Sequence, residues 1–220
     1  MNRQYIIMCG GYYEHFDRPK ALMEYRGEPI VARTLRLLKK AGVDFADVKI
    51  SATDPRFESL GVEVLRHENS YRYEDKKLKG YWLDAFYPHL PDEAKVTYLY
   101  GDVVYTKAAV DTIVNCTRSG EILFGTSAAK NKAHRNWGEP FGYKVDNYRR
   151  FMDGVAAVKR MWDDGKLNRH PITWELYRYL NGLDVNVQAV KNETYICIDD
   201  GTMDVDAPHV IEKLEKLETK

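Results

Sequence analysis

The chain has 220 residues, with 33 Lys+Arg against 33 Asp+Glu, so its formal net charge is zero. That length suits one α/β domain and is enough to bury a sizeable core. The charge balance argues against nucleic acid or an acidic membrane as the main partner, because both favour a basic excess, and no stretch approaches the roughly 18 apolar residues of a membrane span.

The elements alternate along the chain. Gln4 to Cys9 reads as a buried strand, and Pro29 to Ala41 as a helix with Ile30, Leu35, Leu37 and Leu38 mostly on one side, stopped at Gly42. Asp47 to Ala52 and Val62 to Leu65 read as strands. Lys77 to Leu90 is expected as a helix ended by Pro91, and Lys95 to Gly101 as a second buried strand. Lys107 to Cys116 is a helix and Glu121 to Thr126 a strand. This alternation predicts a mostly parallel, doubly wound α/β sheet with helices on both faces. The second half is less regular: strand Phe141 to Val145, helices Asn147 to Asp163 and Ile172 to Leu180, a half-exposed strand carrying Val185, Val187 and Ala189, strand Tyr195 to Ile198, and a closing helix Pro208 to Leu217. No Pro/Gly/Ser linker divides the chain. Residues 1–220 are therefore read as one domain, with residues 1–105 holding a nucleotide and residues 106–220 building an acceptor pocket.

The first apolar run is too short for a secretory h-region. Cys9, Cys116 and Cys197 are odd in number and have no metal-ligand spacing. Each lies in or beside an apolar segment, so all three are expected as small buried residues in a reducing cytoplasm.

Three sites carry chemistry. After the first strand come Gly10-Gly11, a polar loop, and Arg18-Pro19-Lys20-Ala21-Leu22. Glycines without Cβ let backbone N–H groups approach phosphate oxygens, here those of Cys9, Gly10 and Gly11, and Lys20 adds a mobile positive charge for the same phosphates. Second, Tyr98-Leu99-Tyr100-Gly101-Asp102 delivers a carboxylate to the carboxyl end of a central strand, where open α/β sheets bind ligands. Asp102 there suits a divalent ion bridging phosphates; a plain strand-ending turn is the alternative. Third, Asp199-Asp200-Gly201-Thr202-Met203-Asp204-Val205-Asp206-Ala207-Pro208 packs four carboxylates that repel unless a cation or solvent relieves them. In an extended segment Asp204 and Asp206 point the same way, towards one ion; otherwise this is an exposed turn capping the last helix.

Together these sites resemble the nucleotidyltransferases of the GT-A-like fold, the sugar-phosphate and alcohol-phosphate nucleotidyltransferases with their cytidylyltransferase and molybdenum-cofactor relatives. The family pattern is matched by Gly10-Gly11, Pro19-Lys20-Ala21-Leu22 and Gly27-Glu28-Pro29-Ile30, by Asp102 closing a central strand, and by Asp204-Val205-Asp206-Ala207-Pro208 before the last helix. The order holds over nearly the whole chain. The resemblance implies transfer of a nucleotidyl group from an NTP to a phosphorylated sugar or small alcohol, with Mg²⁺ on Asp102 and Asp206 and a contribution from Asp204. It also implies Lys20 and Asp102 as catalytic residues; Gly80, in the loop entering a helix, is separately expected to face the base. One departure concerns the loop. The family places an arginine on the triphosphate where this chain has His15, so Arg18 is expected to take that role.

The second half looks most like the phosphocholine-type cytidylyltransferases, through Asn136-Trp137, the Tyr71 to Tyr81 segment and Trp174-Glu175. That likeness implies acceptor contacts at Trp137 and Glu175. The basic stretch Lys130, Lys132, His134, Arg135 is read either as meeting the acceptor phosphate or as a solvated loop. Two other functions remain open: a nucleotide-sugar-dependent glycosyltransferase, since Asp204-Val205-Asp206 matches an Asp-x-Asp signature, and a non-catalytic nucleotide-binding module, because the loop is altered.

Overall fold

The computed structural model describes residues 2–10, 18–74, 77–127, 138–206 and 209–212, and gives the backbone alone for residues 72–74 and 77–78. Seven strands form one sheet: β1 (Gln4–Met8), β2 (Val48–Ala52), β3 (Glu63–Arg66), β4 (Val96–Tyr100), β5 (Ile122–Gly125), β6 (Pro140–Val145) and β7 (Tyr195–Cys197), in the spatial order β7-β5-β6-β4-β1-β2-β3. All pairings are parallel except those of β6, which runs antiparallel to both β4 and β5. The expected mostly parallel α/β sheet is therefore found, and strands from both halves of the chain continue it.

The central strands form because their residues are apolar on both faces. Ile6, Ile7, Ile50, Tyr98 and Leu99 are fully enclosed, as strands covered by helices on both sides require. Helix α1 (Ile30–Lys40) follows Pro29, whose φ of −54° suits a helix entrance. It ends at Gly42, where φ is +88° and the N–H of Val43 returns to the Leu38 carbonyl. The hydroxyl of Thr106 caps α2 (Lys107–Val114) by accepting from Ala109 N–H, and the Asn147 side chain caps α3 (Tyr148–Asp163) by accepting from Arg150 N–H. Helix α4 (Thr173–Leu180) packs on α3, where Gly154 leaves room for Leu180.

β1 lies between β2 and β4, and Met8 stands opposite Tyr100. Residues following these two strands therefore emerge side by side at the carboxyl edge. The chain winds one way from β1 to β2 and β3, and β4 lies on the other side. That reversal is where a doubly wound sheet opens a ligand crevice.

Two expected elements differ. Lys77 to Leu90 is not a helix: Lys77–Lys79 pairs antiparallel with Arg72–Glu74, and a short 3₁₀ turn covers Trp82–Ala85. Gly80 at φ +71° breaks the run. Its aromatic residues bury against different partners: Trp82 meets Tyr100 edge-on, and Phe86 packs on Tyr98 and Phe151. Val185 to Ala189 is not a strand either. Asp184 turns the chain there by accepting from Asn186 N–H, and Val187 is exposed. Of the expected closing helix, residues 209–212 are helical and the remainder lies outside the described residues. The cysteine expectation holds for Cys9, which is buried, whereas Cys116 is half-buried and Cys197 exposed. Cys197 ends β7, which stands last in the strand order of the described sheet.

Among the described residues, no helix is long and apolar enough to cross a membrane.

Candidate active site

Asp102 reaches the carboxyl edge because Gly101 lets β4 crowd β1. The Gly101 N–H donates to the Met8 carbonyl at 3.0 Å. A Cβ at position 101 would lie 2.6 Å from that same carbonyl oxygen and 2.6 Å from Cys9 Sγ. Only glycine fits that approach.

The C-terminal acidic segment is drawn to the same place by backbone pairing. Met203–Asp204 runs antiparallel to Val103–Val104, and Val205 N–H donates to the Asp102 carbonyl at 2.9 Å. Val205 is fully buried in a small second core with Tyr25, Ile30, Val104 and Ile211. The four carboxylates of this segment divide their work. Asp200 accepts from Thr202 N–H and from the Thr106 hydroxyl, and Asp199 accepts from Ser127 N–H, so these two hold turns together. Asp204 and Asp206 line the cleft.

Lys20 opens the 3₁₀ turn Lys20–Leu22 and is only 9% exposed. Its ammonium donates to Asp102 Oδ2 at 3.0 Å and to Asp206 Oδ1 at 3.3 Å. Burial alone would lower the Lys20 pKa; the carboxylates of Asp102, Asp204 and Asp206 outweigh it and raise it, so the amine stays charged. The Asp204 carboxyl is pushed well above the usual range, first by burial and then by repulsion from Asp102 and Asp206. Its Oδ1 is enclosed and has no hydrogen-bond partner among the described residues, although the residue as a whole is half-buried.

This donor set fits a hard divalent cation. Mg²⁺ takes oxygen ligands and is typically held by one or two carboxylates together with substrate phosphates. Asp102 and Asp206 already converge on one cationic group, and the enclosed Asp204 oxygen lacks a partner among the described residues. Among the described residues no three His, Cys, Asp or Glu side chains form a ready-made metal cage.

The cleft is walled by Cys9, Gly10 and Ala21 at the ends of β1 and the lysine turn, by Asn69, Tyr71, Trp82 and Tyr100, and by Glu139, Pro140, Ile172 and Thr173. The Tyr100 hydroxyl bonds to Thr173 Oγ1, tying the entrance of α4 to β4. Asn69 accepts from Tyr71 N–H at 3.0 Å, which fixes the turn below the mouth.

The structure thus brings together Lys20, Asp102, Asp204, Asp206, Cys9 and Gly10 of the expected set. Other expectations change. The Cys9 N–H donates to the Ser51 carbonyl at 2.9 Å, so it completes the sheet and is not offered to a phosphate. Gly80 lies outside the cleft lining. Its φ of +71° and its contact with Ser70, whose carbonyl oxygen would be 2.2 Å from a Cβ, give it a structural role. Glu175 is 2% exposed, caps α4 at Ile172 N–H, and pairs with Arg169 and Arg178. Trp174 is core, donating to the Gly138 carbonyl. Arg18 is exposed and outside the cleft lining. Gly11, His15, Lys130, Lys132, His134, Arg135, Asn136 and Trp137 lie outside the described residues.

Sequence reasoning missed Asn69, Trp82, Tyr100, Glu139 and Thr173 as cleft residues. For Tyr100 and Glu139 a signal existed: Tyr100 lies two before Asp102, and Glu139-Pro140 opens the strand that pairs with β4.

The fold is similar to several solved structures. One is a putative glucose-1-phosphate thymidylyltransferase from Bacillus anthracis, crystallised with sucrose (TM-score 0.59, 13% identity, covering 98% of this chain and 95% of that one). Another is Rv0371c from Mycobacterium tuberculosis (TM-score 0.57, 15% identity, 97% of each chain). A third is the CTP:phosphocholine cytidylyltransferase of Streptococcus pneumoniae (TM-score 0.53, 14% identity, 99% and 100%). At these identities the likeness is one of fold. No curated protein sequence matches the chain. Residues 5–170, which carry the lysine turn, β4 and Asp102, match the MobA-like NTP transferase domain, and the chain belongs to that family.

Proposed function

We propose that this protein is an Mg²⁺-dependent nucleotidyltransferase that joins an NTP to a phosphorylated sugar or small alcohol and releases pyrophosphate. The observation that carries this reading is the Lys20 ammonium held between Asp102 and Asp206 at the carboxyl ends of β1 and β4. A phosphate oxygen of the acceptor attacks the α-phosphorus; the bond from that phosphorus to the bridging oxygen breaks, and pyrophosphate leaves with the electron pair. No covalent enzyme intermediate is required, so the protein contributes positioning and charge neutralisation. Lys20 neutralises charge on the α-phosphate as the transition state forms. Asp102 and Asp206, with Asp204, would hold Mg²⁺, which would supply Lewis-acid neutralisation of the phosphates. Exclusion of water falls to the aromatic wall of Tyr71, Trp82 and Tyr100.

The glycosyltransferase reading is disfavoured by the place of Asp204-Val205-Asp206. This segment pairs with Val103–Val104 outside the main sheet and does not end a central strand. The same cleft favours an acceptor with an apolar or cationic body, since three aromatic rings and Glu139 line it. The test is pyrophosphate release on mixing the protein with Mg²⁺, each NTP in turn, and a panel of sugar 1-phosphates and amino-alcohol phosphates. Nucleotide binding with no pyrophosphate from any pair would favour a non-catalytic binding module.

A further inference from the structure

We propose that Lys20 is a stand-in counterion: its ammonium holds Asp102 and Asp206 together before substrate arrives, keeps a free divalent cation out, and moves to the phosphates when a metal–nucleotide complex binds. The proposal rests on the nucleotidyltransferase reading of the same site and adds how the site is kept before binding.

The geometry gives three reasons. The ammonium lies 3.0 Å from Asp102 Oδ2 and 3.3 Å from Asp206 Oδ1, which is where a cation shared by those carboxylates would have to compete. The Lys20 side chain is 10% exposed while that of Asp206 is 70% exposed, so the ammonium is the enclosed partner and the carboxylate faces the open cleft. And among the described residues no three acidic, His or Cys groups form a cage that could outbid the lysine with protein ligands alone. A cation entering by itself would have to displace an enclosed ammonium from two carboxylates at once and would leave two positive charges close together. A cation entering with a triphosphate brings anionic oxygens that complete its own coordination and receive the ammonium. Like charges a few ångströms apart in a partly buried site repel strongly, so the first route is penalised and the second is not. Metal and nucleotide therefore bind as one unit.

The enclosed Asp204 oxygen sharpens the expectation. Without Lys20, Asp102 and Asp206 would lose the cation they share, and Asp204, which lines the same cleft, would keep an enclosed oxygen with no partner among the described residues. Such a site should become hungry for divalent ions.

The experiment measures Mn²⁺ binding to the full chain without nucleotide, from the loss of the free-ion electron paramagnetic resonance signal, in wild type, Lys20→Met and Lys20→Gln. Glutamine keeps a neutral donor for the carboxylates, so one variant remains usable if the methionine substitution fails to fold. The expected result is weak binding by wild type and binding about tenfold or more tighter in the variants, lost again when Asp102→Asn is added. Thermal unfolding of the variants should also become Mn²⁺-dependent, with wild type nearly indifferent. Equal or weaker Mn²⁺ binding by a folded variant overturns the proposal. So does tighter binding that survives Asp102→Asn, because the ion would then sit elsewhere. Pyrophosphate release by wild type tests the underlying reading separately. If turnover is seen and the variants bind Mn²⁺ no better, the enzyme stands and the counterion role falls. If the variants bind Mn²⁺ tightly and no NTP–acceptor pair reacts, the counterion stands and the reaction falls.

Discussion

The N–H of Val205 donates to the carbonyl of Asp102 at 2.9 Å, and this bond joins a strand-end carboxylate in the middle of the chain to an acidic segment near its end. Because Val205 is buried, its neighbours Asp204 and Asp206 are turned towards the cleft, and the site is assembled from two distant stretches.

That assembly makes Asp102→Asn informative. The carboxamide is nearly isosteric, and its loss of charge relieves repulsion on Asp204. It also removes the nearer carboxylate of the enclosed Lys20 ammonium, so the variant should stay folded with somewhat lower thermal stability. Turnover measured as pyrophosphate release should fall by roughly 10²-fold or more, the scale seen when one charge-stabilising group is removed. A turnover within a few-fold of wild type would show that the carboxylate only ends the strand.

Lys20→Ala separates binding from chemistry. A lysine that neutralises charge growing in the transition state should lower kcat far more than it raises KM for NTP. The expected loss is roughly 2–4 kcal/mol of transition-state stabilisation. If KM alone rises, the ammonium binds ground and transition states equally.

Much of this was legible from the chain. Buried parallel strands read as apolar runs, so β1 and β4 are plain, and the segment Asp204-Val205-Asp206 carries its alternation openly. In the run from Lys77 to Leu90, Trp82 and Phe86 are four residues apart, as on one face of a helix, and Pro91 offers a stop. In the structure those rings serve separate contacts, Trp82 at the cleft and Phe86 in the core. Glu175 misled in another way. At the third position of α4 it is a cap, and its burial is tolerated because Arg169 and Arg178 neutralise it. What no local pattern could show is pairing across the chain, such as Lys20 with Asp206 or Thr106 with Asp200.

Gly101→Ala tests the close approach of β1 and β4. The added Cβ would lie 2.6 Å from both the Met8 carbonyl oxygen and Cys9 Sγ, and backbone cannot yield as a flexible side chain would. Overpacking of this kind costs about 1–3 kcal/mol. Turnover should fall as well, since Asp102 is the next residue and would shift with the strand end. Chemical denaturation and the turnover assay together check this; unchanged stability would mean that the strands part easily.

The last prediction concerns acid stability away from the cleft. Burial would raise the Asp146 pKa, but the N–H of Gly120 at 2.7 Å, the guanidinium of Arg3 and the ammonium of Lys144 together hold it below the model-compound value of 3.8. A carboxyl whose folded pKa lies below its unfolded one adds stability that is fully present above the unfolded value and is lost as pH falls through the folded value. Asp146→Asn should therefore destabilise the protein near neutral pH by about 1–3 kcal/mol, since it leaves partly buried donors short of an acceptor. The gap from wild type should begin to narrow as pH drops below about 4, the unfolded value, and keep narrowing towards the lower folded value at which the wild-type carboxyl takes up its proton. Unfolding curves of both proteins between neutral pH and pH 3 measure this. A constant gap across the range would show that Asp146 acts through shape and not through its charge.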